Sequence, residues 1–152
     1  MRKTIRLAKD ADIARIFDIR TSVRENHLSR AQLNDMGITD DAIRHMIETE
    51  DCIWIAEVDA VPVGFAIADS VAGSVFAVFI RPQWEGLGLG RRLMNEAEAF
   101  LFEQFETIWL ETDNRSRASG FYTRLGWRLE VMLEGDDVRF EKRRPPTCRG
   151  NC

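Results

Sequence analysis

Several features that would mark large classes of protein are missing from this 152-residue chain. No apolar run is long enough to span a bilayer, and the opening Met1-Arg2-Lys3-Thr4-Ile5 lacks the apolar core of a secretion signal. The 21 basic residues form no block; they are interleaved with 25 acidic ones for a net charge of -4, which counts against a dedicated nucleic-acid binder. Cysteine and histidine are scarce, and Cys52, Cys148, Cys152, His27 and His45 show no metal-ligand spacing. These absences set the expectation of a cytoplasmic protein with no structural metal and no membrane or nucleic-acid partner. What remains, 45% hydrophobic and 30% charged, is an ordinary globular composition. The length suits one domain, expected over residues 1–143, with 144–152 as a disordered tail.

Apolar periodicity predicts the elements. Residues 4–8 read as a strand. Asp10 is placed to cap a helix running to about residue 26, with Ile13, Ile16, Phe17 and Ile19 on one face. A second helix is expected from about Thr39 to Glu48. Two strands, 52–58 and 63–70, flank a turn at Asp59-Ala60-Val61-Pro62. Residues 74–80 form a nearly continuous apolar strand, expected to be covered on both faces. Helices over about 88–105 and 116–125 enclose a strand at 108–111, and Gly126 stops the second of them. A hairpin of 127–133 and 138–142 completes the order β-α-α-β-β-β-α-β-α-β-β. The fold class is mixed α/β of the α+β type, a central mixed sheet flanked by helices.

The segment Ile80-Arg81-Pro82-Gln83-Trp84-Glu85-Gly86-Leu87-Gly88-Leu89-Gly90-Arg91-Arg92-Leu93 carries the chemistry. A strand ends, three glycines alternate and a helix begins. Glycine allows sharp turns and close approach of backbone to a ligand, and a helix N-terminus offers unpaired N–H groups to phosphate. A P-loop needs Lys and then Ser or Thr after its last glycine, whereas Gly90 is followed by Arg91 and Arg92. A dinucleotide fingerprint needs a third glycine where Arg91 stands, and it opens the first βαβ unit rather than following a hairpin. A pyrophosphate loop for coenzyme A is the third possibility.

Residues 78–93 resemble the cofactor-binding motif of the GNAT superfamily of N-acetyltransferases. Ala118-Ser119-Gly120-Phe121-Tyr122-Thr123-Arg124-Leu125-Gly126-Trp127 resembles that superfamily's next motif, A-x-x-F-Y-x-x-x-G-F/W. With the order of strands and helices, the resemblance covers about residues 4–142. It implies a GNAT-like fold, acetyl-CoA as donor and a primary amine, on a small molecule or a protein, as acceptor. It also implies that Val78, Phe79 and Ile80 line the pantetheine arm, with the backbones of Val78 and Ile80 pairing with it. The N–H groups of Gly86, Leu87, Gly88, Leu89, Gly90 and Arg91 would hold the pyrophosphate. Two positions depart from the pattern. Glu85 stands where Gln or Arg is usual, and should turn to solvent or toward Arg91 or Arg92. Arg115 stands where Asn is usual, which leaves Asn114, one residue earlier, to reach the pantetheine.

Acetyl transfer needs a neutral amine, a donor for the developing oxyanion and a stabilised leaving thiolate. Tyr122, the only tyrosine, matches the family's general acid. With ordinary values of about 10 for a phenol and about 8.5 for a thiol, full proton transfer is uphill by roughly 2 kcal/mol, so a hydrogen bond to the thiolate serves as well. Ser74 occupies the position of the histone-acetyltransferase base. Leu110-Glu111 resembles the Leu-Glu pair of the ribosomal-protein N-terminal acetyltransferases, which makes Glu111 the candidate base. Glu25 and Asn26, just beyond an apolar helical face, are candidates for meeting the acceptor amine. Cys52 precedes a strand away from both motifs, which argues for direct transfer rather than a thiol nucleophile. The rival readings are a CoA-binding sensor or interaction module without catalysis, and an acyltransferase for a longer chain. A homodimer through the terminal strands is left open.

Overall fold

In the computed structural model, residues 1–23, 28–115 and 117–146 are described. The chain runs β1 (Lys3–Leu7), α1 (Ile13–Ser22), α2 (Arg30–Asp35), α3 (Asp40–Glu50), β2 (Ile53–Val58), β3 (Val61–Asp69), β4 (Ser74–Ile80), α4 (Leu89–Phe102), β5 (Thr107–Asp113), α5 (Arg117–Arg124), β6 (Arg128–Met132) and β7 (Asp137–Arg143), with short 3-10 turns at Asp10–Asp12 and Pro82–Trp84. The seven strands form one sheet in the order β1-β2-β3-β4-β5-β7-β6. All neighbours are antiparallel except β4 and β5.

Helices cover the two faces. On one, Trp54 of β2 meets Phe100 of α4 edge-on with ring centroids 5.6 Å apart. Its cross-strand partner Ala66 therefore also faces α4. Phe65 and Ile67 of β3 face the other way, toward Ile16 and Phe17 of α1, Leu33 of α2 and Ile43 of α3. β3 is accordingly buried from Val63 to Ala68. On the α4 face, Glu98 accepts from Trp127 Nε1 at 3.0 Å and from Lys142 Nζ at 2.7 Å, so one buried carboxylate joins α4 to the chain after α5 and to β7.

The order of elements matches the expected one, with three differences. A third N-terminal helix, α2, lies between the two expected. Ser29 caps it in a reciprocal box with Gln32, and Leu33 is its one buried residue, too little to show as periodicity. Asp10 does not cap α1. Asp12 accepts from the backbone N–H of Lys9 at 2.8 Å and takes two hydrogen bonds from Arg6, whose Nε also reaches Glu57 at 3.0 Å. The β2–β3 turn is tighter than expected: Asp59 and Ala60 alone turn, both at positive φ, and Val61 and Pro62 already belong to β3.

Candidate functional site

The site begins where the sheet comes apart. β4 and β5 share one ladder position, Ser74 with Trp109, beside a hydrogen bond from Trp109 N–H to Gly73 C=O at 3.2 Å. Beyond it β4 continues to Ile80 and β5 to Asp113 without pairing. The prediction that β4 is covered on both faces therefore fails in its second half: Phe76 is exposed and Ala77 to Ile80 are half-buried. Apolar composition cannot distinguish a strand buried by a neighbour from one that borders a gap. On its other side β4 pairs with β3 throughout, with a bulge at Phe76, the residue left unpaired between Val75 and Ala77.

Arg81 N–H donates to Val63 C=O at 2.8 Å, toward β3. Backbone groups alternate in direction along a strand, so the N–H groups of Val78 and Ile80 point the opposite way, into the gap. The side chains of Val78 and Ile80 face α4, because their partners Ala66 and Gly64 do. Phe79 faces the other side, where its ring packs on Phe65 and lies under the guanidinium of Arg20, 4.3 Å from the centroid.

At the end of β4 the chain turns through residues 81–88 into α4. Gly86 and Gly88 have φ of 81° and 82°, the left-handed region, and Gly88 is the N-cap. A Cβ added at either would meet nothing within 4 Å, so the concave side of this turn is open. At Gly90 a Cβ would come within 3.3 Å of Phe121 Cζ, so a bare backbone lets α5 close on α4. The first-turn N–H groups of a 14-residue helix thus point out of a cradle at the mouth of the gap.

Glu85 meets half of its expectation. It is exposed, but its cationic partner is neither Arg91 nor Arg92: the carboxylate pairs with Arg117 Nη2, on the first residue of α5, at 2.9 Å. Arg117 lies 32 positions downstream, a partner no local pattern indicates. Asn114 is committed locally: its side-chain oxygen accepts from Ser119 Oγ at 3.2 Å and its N–H donates to Asp136 C=O at 2.8 Å.

Tyr122 and Glu111 lie on opposite faces of the sheet. Tyr122 is buried on the α4 face among Phe121, Trp127 and Phe140, with centroids 5.3, 6.3 and 6.1 Å away. Burial pushes its phenol up to about 12. Glu111 stands opposite Arg139 in the β5–β7 ladder, and Arg139 is the neighbour of Phe140, so both project from the other face. Arg139 Nη2 donates to Glu111 Oε2 at 2.9 Å, and its guanidinium lies 4.1 Å from the centroid of the Trp109 ring. Trp109 in turn donates Nε1–H to Ala72 C=O at 2.9 Å. Neither Arg139 nor Trp109 belongs to the predicted set. A cross-strand partner is visible only once the register is known.

Beside Phe76, on Glu111's side of the sheet, an apolar cavity of about 30 Å³ opens between α1, α2, α3 and β3–β4. Arg20 is the one charged residue among those described as lining it, and desolvation holds its pKa below the usual value. Glu25 and Asn26 lie outside the described residues, as do Cys148 and Cys152 of the tail. Cys52 is fully buried, and its thiol is pushed up to about 12. Among the described residues no three His, Cys, Asp or Glu side chains gather as a metal site, and no helix is long and apolar enough to cross a membrane.

Residues 3–127 match the model of the acetyltransferase (GNAT) family. An uncharacterized N-acetyltransferase of Methanocaldococcus jannaschii is 28% identical over 102 residues, 59% of this chain; the match spans 45% of that relative's length, less than half. The PaiA N-acetyltransferase of Thermoplasma acidophilum, solved in complex with coenzyme A, superposes with a TM-score of 0.78 at 16% identity, covering 95% of this chain and all of that one. YncA of Salmonella typhimurium, solved with its cofactor acetyl-CoA, gives 0.73 at 20% identity over 93% of both chains. At these identities the structural likeness shows the fold.

Proposed function

This chain belongs to the acetyltransferase (GNAT) family, and on that premise we propose that it transfers acetyl from acetyl-CoA to a primary amine by direct attack. The observation that carries the reading is the unpaired stretch of β4 with an open glycine cradle at its end. Pantetheine is rich in amides and fits a strand edge whose N–H groups at Val78 and Ile80 face a gap. A diphosphate fits the first-turn N–H groups of α4, since nothing fills the concave side of Gly86 and Gly88. The relatives solved with coenzyme A or acetyl-CoA have this fold.

Acetyl-CoA supplies an acetyl group activated as a thioester. The residues of the chain divide the rest of the work between the faces of the sheet. The acceptor nitrogen approaches from the side of Glu111 and the cavity beside Phe76. Glu111, directly or through water, takes a proton from the ammonium. As the N–C bond forms and the C–S bond breaks, the electron pair leaves on sulfur. Tyr122, on the α4 side, donates a hydrogen bond to that sulfur, and the second proton lost by nitrogen neutralises the thiolate. The products are the acetamide and free CoA thiol.

Thiol release from acetyl-CoA with a panel of amines tests the reading. Amine-dependent release is expected. Binding of acetyl-CoA without release under any amine would favour a sensor that has lost catalysis. Glu111→Gln should slow the reaction most near neutral pH, and the defect should shrink toward about pH 10, where free amine is abundant. A wild-type rate for this variant across pH 6–9 would remove Glu111 from the mechanism.

A further inference from the structure

The pairing of Glu111 with Arg139 bears on the identity of the acceptor. A carboxylate acting alone would suit any ammonium, a polyamine included. Here a guanidinium stands 2.9 Å from it on the same open face, so a second positive charge on the acceptor would meet Arg139. We propose that the acceptor is an α-amino carboxylate, a free amino acid, whose amino group lies at Glu111 and whose carboxylate is held by Arg139. The inference rests on the acetyl-transfer reading with Glu111 on the acceptor side.

Three observations support it. The two side chains come from paired positions on adjacent strands and remain accessible, 43% exposed at Glu111 and 34% at Arg139. In an α-amino acid a single carbon separates the amino and carboxylate groups, so opposite charges sit side by side, matching two side chains already in contact.

Second, Arg139 is held independently of Glu111. Its guanidinium stacks on Trp109, and the Trp109 ring is anchored by its own hydrogen bond to Ala72. Shifting Glu111 toward an ammonium therefore leaves the cation in place. Opening the pair is cheap, because an exposed ion pair contributes about 0–1 kcal/mol.

Third, Glu111 engages Arg139 through Nη2 only, so this pair is not the two-pronged one that a guanidinium can make. A carboxylate binds a guanidinium in a two-pronged fork that a carboxamide cannot reproduce at equal strength. The site is thus better matched to a free amino acid than to the amino end of a peptide, where the carboxylate has become an amide.

The experiment is thiol release from acetyl-CoA with matched acceptors: α-amino acids, their amides, the amines left when the carboxylate is removed, and a short peptide with a free N-terminus. In the wild type kcat/KM should favour the acid over its amide and amine by at least tenfold, about 1.4 kcal/mol. Arg139→Gln should erase that preference by raising KM for the acid, with little change for the amide, and Arg139→Lys should restore part of it. Acetyl-CoA affinity of both variants, measured by calorimetry, should equal that of the wild type. Equal use of acid, amide and amine by the wild type, or a preference for the peptide, overturns the proposal. So does an Arg139→Gln enzyme that loses all acceptors alike, which would make the residue a strut for the sheet. Absence of amine-dependent release with every acceptor would defeat the acetyl-transfer reading itself, and this inference with it.

Discussion

Replacing Tyr122 by Phe separates two ways in which a phenol can help a thiolate leave. Burial pushes Tyr122 up to about 12, whereas an ordinary thiol sits near 8.5. Handing the proton over completely would then be uphill by roughly 5 kcal/mol, at 1.36 kcal/mol per pKa unit. A hydrogen bond to the sulfur costs nothing of the kind. Bonds to charged partners contribute about 1.5–3 kcal/mol, so losing this one should lower kcat by roughly 10- to 150-fold. The interaction forms as charge develops on sulfur, so acetyl-CoA affinity should hardly move. The fold should survive. Among the described residues no hydrogen bond to the Tyr122 hydroxyl is found, and the ring contacts with Phe121, Trp127 and Phe140 persist in Phe. Steady-state thiol release over pH 6–10 and calorimetric binding of acetyl-CoA provide the measurements. A fully active variant would reduce Tyr122 to packing. A wild-type alkaline limb centred at about pH 10 or below, and missing from Tyr122→Phe, would show a phenol at least as acidic as an ordinary one that does transfer its proton. Stability offers a second check. The folded-state value lies above the unfolded value of about 10, so the contribution is complete below pH 10 and declines as pH rises toward about 12. Chemical denaturation of Tyr122→Phe should lack that decline.

Gly88→Asp puts a carboxylate in the cradle at a position with φ of 82° and open space around it. Acetyl-CoA affinity should fall at least tenfold, about 1.4 kcal/mol, and Gly88→Ala, strained but uncharged, should lose less; a folded Asp variant with unchanged affinity by calorimetry would remove the phosphate assignment. Glu85→Gln breaks the exposed pair with Arg117, so stability should stay within about 0.5 kcal/mol. Its acetyl-CoA affinity should be unchanged or tighter, because a negative charge beside the diphosphate is gone; marked weakening would contradict this. Asp12→Asn takes one of the two carboxylates from a partly exposed Arg6, which keeps Glu57, and should cost about 1–2 kcal/mol in urea denaturation. The hydrogen bonds from Arg6 hold the Asp12 carboxyl below its usual range. That stabilisation is therefore present above about pH 4 and is lost as pH falls through the depressed folded value, so the variant should show a flatter acid limb.

Much of the architecture was legible because its determinants are local. The apolar runs along 53–58 and 63–68, the glycines from Gly86 to Gly90, and the stripe Leu89, Leu93, Ala97, Leu101 each report on backbone within a few residues. Where local signals were thin the reading faltered. α2 is six residues with one buried side chain, and the cap expected of Asp10 gives way to a short 3-10 turn, Asp10–Asp12, whose Asp12 is held by Arg6.

The site divides along the same line. By itself the sequence determined that a glycine turn joins an apolar strand to an amphipathic helix, that the only tyrosine follows in a second motif, and that Glu111 lies on a strand between them, although that strand runs on to Asp113 rather than ending at 111. These are properties of spacing, which the chain carries in one dimension. Tertiary structure decided what the spacing is for. The parting of β4 from β5 after Ser74 turned a strand that reads as core into the wall of a gap. Sheet alternation put Tyr122 and Glu111 on opposite faces, and register set Arg139 against Glu111 and over Trp109. Folding of α5 onto α4 brought Arg117 to Glu85. Each of these is a contact between residues far apart along the chain, made by long-range packing to which no local pattern is coupled.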